Sequence, residues 1–190
     1  MLITDKKYIF IPIYKSIFFK FCNFETKSND IQDIIVVKAL NIKNRKKRIT
    51  FIYDSTCDYI DNFYNNENIC GFKNCQCYIQ RKNDKNLKYG CCRKCLYKSD
   101  KGCTTKNIAC KLFNCSEVYC RRKVITYKDL KILKLLSLRQ RTIIKSDFFS
   151  LREDVLKDLY SYSIFYSTIR ITIRLIRNLI ILNRVERYKA

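Results

Sequence analysis

Cys70-Gly-Phe-Lys-Asn-Cys75-Gln-Cys77, then Gly90-Cys-Cys-Arg-Lys-Cys95, then Cys103, Cys110-Lys-Leu-Phe-Asn-Cys115 and Cys120 form the stretch on which the reading of this chain turns. Eleven of the 12 cysteines lie between positions 57 and 120, and only Cys22 stands apart. Two thiolates two to four residues apart can curl around one ion while a distant second pair closes the loop. Cys92-Arg-Lys-Cys95 has that spacing, and Cys70 with Cys75, Cys75 with Cys77, Cys110 with Cys115 and Cys115 with Cys120 come near it. Adjacent Cys91 and Cys92 point in different directions in any regular backbone, which implies two sites or one spare thiol. The candidate ligands are therefore Cys70, Cys75, Cys77, Cys91, Cys92, Cys95, Cys103, Cys110, Cys115 and Cys120.

The chain has no histidine, so coordination would be all-sulfur and suits zinc or an iron–sulfur cluster. Zinc is the first expectation, because the closely repeated Cys-x2-Cys-x2-Cys run of bacterial iron–sulfur proteins is missing. Spacing does not say which thiols share an ion. Two rivals stand beside metal. One is disulfide pairing. The other is a redox dithiol at Cys92 and Cys95, which wants a preceding strand and a helix opening at the first cysteine; the flanks here are Lys88-Tyr-Gly90 and a polar loop.

Outward from this stretch the chain divides into three parts. Residues 57–120 are polar, turn-rich and hold all three glycines, with too few large aliphatic side chains for a core of their own, so a bound ion is expected to organise them. Residues 1–56 read as mixed or strand-rich. Tyr8-Ile-Phe-Ile-Pro-Ile-Tyr14 suits an irregular edge strand, and Ile34–Ile42 and Ile49–Tyr53 look like two strands about the charged turn Asn44–Arg48. Residues 121–190 turn helical. Thr126-Tyr-Lys-Asp129 precedes leucines at helical spacing, and the capping box Ser150-Leu-Arg-Glu153 opens a segment running to about Arg187 without Pro or Gly. The expected fold is α+β: a strand-bearing N-terminal part, a metal-organised cysteine module and long C-terminal helices.

Lys, Asn, Ile and Tyr are abundant while Gly, Pro, His and Trp are nearly or wholly absent, as codon usage in an AT-rich genome gives without selection on function. The formal charge of +22 is nevertheless uneven: residues 121–190 hold 17 basic and 6 acidic groups, a net of +11. On one helix, Arg170, Arg174, Arg177 and Arg184 fall within about 80° of one another, opposite Leu175, Ile176, Leu179, Ile180 and Leu182. A helix packed on the core with a solvated arginine stripe is the plain reading. A nucleic-acid surface of Arg121, Arg122, Lys123, Arg139, Arg141, Arg170, Arg174 and Arg177 is the sharper one. Contact with another protein or with a membrane surface is the third.

Catalysis finds little support, since histidine is absent, no base neighbours a cysteine and three scattered glycines make no phosphate loop. The N-terminus lacks the order of a secretory signal, and no run is apolar enough for a transmembrane segment, so a reducing cytoplasmic compartment is expected. Gly90-Cys-Cys-Arg-Lys-Cys95, Lys101-Gly-Cys-Thr-Thr-Lys-Asn107 and Cys110-Lys-Leu-Phe-Asn-Cys115 resemble a group of cysteine-rich proteins from AT-rich Gram-positive bacteria, over roughly positions 70 to 160. That resemblance implies a bacterial cytoplasmic protein and carries no assigned activity. The expectation is a binding or regulatory metalloprotein whose partner is nucleic acid or protein.

Overall fold

The computed structural model describes residues 23–74, 76–82, 98–99, 102–114, 116–121, 123–161 and 164–186. Its elements in order are α1 (Ile31–Asn41), α2 (Arg45–Glu67), α3 (Tyr78–Lys82), β1 (Lys98–Ser99), β2 (Gly102–Cys103), α4 (Ile108–Lys111), α5 (Ser116–Arg121), a 3₁₀ turn (Lys131–Leu135), α6 (Leu138–Ser146), α7 (Arg152–Tyr160) and α8 (Ile164–Glu186). Among the described residues the only sheet is the two-residue antiparallel pair β1 and β2, so the protein is helical and the expected α+β class is overturned.

The strand-bearing N-terminal part is corrected in particular. Ile34–Ile42 lies in α1 and at its end, and Ile49–Tyr53 lies in α2, while Tyr8–Tyr14 falls outside the described residues. Capping decides the matter. The Asp30 side chain accepts from the Gln32 N–H and starts α1, and the Asn44 side chain accepts from the Lys47 N–H and starts α2. The charged run Asn44–Arg48 is thus a helix start and its first turn, not a hairpin tip. Val36, Val37 and Leu40 on α1, and Ile49, Ile52, Tyr53, Thr56 and Ile60 on α2, then fall inward at helical spacing.

The core gathers these residues with Ile108, Leu130, Ile132, Leu133, Leu136, Ile143, Ile144, Val155, Leu156 and Leu159. Helix α2 packs against α1, α4, α7 and the 3₁₀ turn, and α6 bridges α7 to α8. The helical segment expected from Ser150 to Arg187 is broken. α7 stops at Tyr160, Ser161 takes an extended backbone at φ −60° and ψ 139°, and α8 begins at Ile164. The carbonyls that α7 leaves open are taken by side chains: Arg45 donates to Tyr160 O at 2.8 Å, Gln140 to Leu159 O at 2.9 Å, and Arg139 to Ser161 O. Basic groups at a helix C-terminus satisfy both the hydrogen bonds and the dipole.

Two caps also moved. Ser137 and Gln140 make the full capping box of α6. Ser150 makes none, because its hydroxyl is held by Asp147, and Leu151 stands at the N-cap of α7 without a side-chain cap.

Leu159 is fully enclosed, whereas Leu138 is 74% exposed. Urea unfolding should show Leu159→Ala losing about 3 kcal/mol, and Leu138→Ala staying within about 0.5 kcal/mol of the parent.

Candidate functional site

The four residues Asp147-Phe148-Phe149-Ser150, between α6 and α7, join three parts of the molecule. From one side comes the cysteine-bearing segment. Asn107 is buried, caps α4 by accepting from the Cys110 N–H at 2.9 Å, and donates to Asp147 O at 2.6 Å and Ser150 O at 3.1 Å. The Phe149 N–H donates to Cys110 Sγ at 3.2 Å. Phe149 holds φ at +62°, a left-handed backbone unusual for an aromatic residue and kept here by its neighbours. Phe148 meets both Phe113 and Phe149 ring to ring.

From the other side comes α8. Arg174 is buried and stands 2.5 Å from Asp147 and 2.6 Å from Asp158, both carboxylates being 1% exposed. Arg170 lies 3.3 Å from Asp158 and over the ring of Tyr166, and Arg177 donates to Phe148 O at 2.9 Å and Ser150 Oγ at 2.8 Å. Burial lifts the Asp147 carboxyl above its ordinary range. The Ser150 hydrogen bond and the charges of Arg174 and Arg177 pull it down, Asp158 pushes it up again, and burial prevails. Buried ion-pair networks shift pKa values for structural reasons as well as catalytic ones. The cluster is a fastening for α8.

The arginines singled out by sequence therefore occupy several places. Arg170, Arg174 and Arg177 turn toward the body. Arg139 caps α7, and Arg141 is half-buried with a buried Nε that meets no acceptor among the described residues. Lys123 is exposed, and Arg121 ends α5; Arg122 lies outside the described residues. The plain reading of α8 is inverted: its arginine stripe faces inward and its apolar stripe outward.

Of the candidate ligands, Cys75, Cys91, Cys92, Cys95 and Cys115 lie outside the described residues. Cys70 and Cys77 stand at the two feet of one turn. Lys73 and Gln76 exchange backbone hydrogen bonds of 2.9 and 3.1 Å, the Tyr78 N–H donates to Cys70 O at 2.9 Å, and Gly71 and Asn74 take the left-handed backbone this needs. Cys103 pairs with Lys98 across the small hairpin, and Cys120 is exposed on α5. Among the described residues no three cysteine or carboxylate groups stand close enough to hold an ion together. Cys57 lies mid-way along α2 inside the core, where burial pushes its thiol up to about 12 despite nearby Lys111. It packs as a small hydrophobe.

Sequence reasoning missed Asp147, Asp158 and Asn107 altogether. A clue existed in Asp158, an acid at an inward position of α7 beside Leu156 and Leu159. No family model matches the chain, and no curated protein or solved structure is significantly similar to it.

Removing Arg174 would leave two buried carboxylates unpaired. Arg174→Met is expected to cost about 3 kcal/mol or more in urea unfolding. Because its pKa is raised on folding, Asp147 contributes stability that is full below its ordinary 3.8 and is lost as pH rises through the folded-state value. Asp147→Asn removes that dependence. Above the ordinary 3.8 the variant's unfolding midpoint should therefore gain relative to the parent's as pH rises.

Proposed function

We propose that the protein is a zinc-organised binding protein without catalytic chemistry, in which an all-sulfur site holds the segment from Cys70 to Cys120 against a helical body. The observation that carries this reading is the turn that returns Cys77 beside Cys70, with the Tyr78 N–H on Cys70 O. Short hairpins of this kind let a backbone wrap an ion with two or three thiolates. The N–H of Phe149 on Cys110 Sγ adds support, since hydrogen bonds to sulfur stabilise the thiolate form that a metal needs.

The body side of the segment is already built. Ile108 enters the core, Lys111 pairs with Asp61 in a buried contact, and Lys106 pairs with Asp58 at 3.1 Å. An ion held by the thiolates before Lys106 would give the segment a second hold beside these contacts. A nucleic-acid partner is the second reading. It rests on Arg121, Arg122 and exposed Lys123 rather than on Arg170, Arg174 and Arg177 of α8, which engage the body.

Elemental analysis and a visible spectrum of the full chain purified without oxygen decide the matter. Colourless protein with stoichiometric zinc, and less zinc in Cys70→Ser and Cys77→Ser, is the expected result. A coloured, iron-rich sample would move the reading to an iron–sulfur protein, and a metal-free chain that keeps its fold would end it.

A further inference from the structure

Helix α8 runs 23 residues, roughly 35 Å, without Pro or Gly. Among its described side chains only Ile171 packs against the apolar core, and it does so half-buried. Its hold on the body is ionic, through Arg170, Arg174 and Arg177. Opposite Arg174, an arc of about 120° carries Phe165, Ile169, Ile173, Ile176, Leu179 and Ile180. Each of these is 44% to 78% exposed. An apolar strip of this length marks a place where something docks.

The choice of partner follows from charge. The arc itself bears no cation, so a phosphate backbone would find nothing there to neutralise. A second copy would bring one +22 chain against another, with Arg170 and Arg177 at the edge of the strip. An anionic lipid surface has the opposite sign and accepts an apolar helix face into the headgroup layer. No helix among the described residues is long and apolar enough to cross a membrane, and the arginines of α8 already interrupt its apolar run. Tyr166 under Arg170 supplies an aromatic and a cation of the kind that sit at headgroup depth.

We propose that the outward apolar face of α8 docks on the surface of an anionic lipid bilayer. This does not depend on any metal. The contact is made by a helix lying flat, its arginine side fixed to Asp147 and Asp158, so no refolding is needed to present the apolar side.

The test is flotation of the full chain with phosphatidylglycerol vesicles and, separately, phosphatidylcholine vesicles, together with sedimentation equilibrium without lipid. Binding to the anionic vesicles is expected, with little to the neutral ones. Ile173→Glu and Ile176→Glu, both at exposed positions, should weaken binding by about tenfold or more. Ile31→Glu makes the same charge change at an exposed residue of α1 and should leave binding unchanged. Equal loss in all three variants would reduce the effect to net charge and overturn the proposal. So would a dimer abolished by Ile176→Glu with no vesicle binding, which assigns the strip to a second copy. A monomer that ignores both kinds of vesicle would overturn it too.

Discussion

A guanidinium buried between two carboxylates governs the arrangement of this molecule. Arg174 cannot leave Asp147 and Asp158 without stranding charge in the interior, and its own burial is tolerable only while both are present. One residue so constrained fixes the rotation of a whole helix about its axis. With Arg174 pointing inward, the residues half a turn away must point outward, and in α8 those are isoleucines, a leucine and a phenylalanine. Hydrophobic burial alone would have chosen the opposite rotation. Ionic pairing wins because the acids of α6–α7 sit where no solvent reaches them.

The same turn that supplies Asp147 also receives the cysteine-bearing segment through Asn107 and Cys110. The cysteine-bearing segment and α8 thus meet across four residues, of which Asp147 and Ser150 make polar contacts to both. Such a junction transmits displacement well, because satisfied buried polar groups have few alternative arrangements.

Much of the C-terminal helicity was legible in the sequence, and the N-terminal third was not. Ile34–Ile42 and Ile49–Tyr53 are rich in β-branched residues, which suit strands on propensity, yet Asp30 and Asn44 start helices at the right places and tertiary burial settles the period. The break at Ser161 had no Gly or Pro to announce it. It arises because Arg45, Arg139 and Gln140 reach the end of α7 from two other helices, a convergence that local pattern does not contain. The clustering of arginines on one side of α8 was readable at once, but not which side faced in, since amphipathicity is symmetric under that exchange until the partner's charge is known. For the cysteines, spacing marked Cys70 and Cys77 as near neighbours in sequence, but the backbone hydrogen bonds that bring their ends together are not written in it.

Asparagine is frequent in this chain, and the structure has found employment for it. Asn44 and Asn107 open helices, while Asn68 closes α2 and Asn74 turns a hairpin, both with positive φ. Those last two are posts that glycine fills in most chains. Replacing these asparagines would therefore meet structural resistance where helices begin and end, without disturbing any hydrophobic side chain.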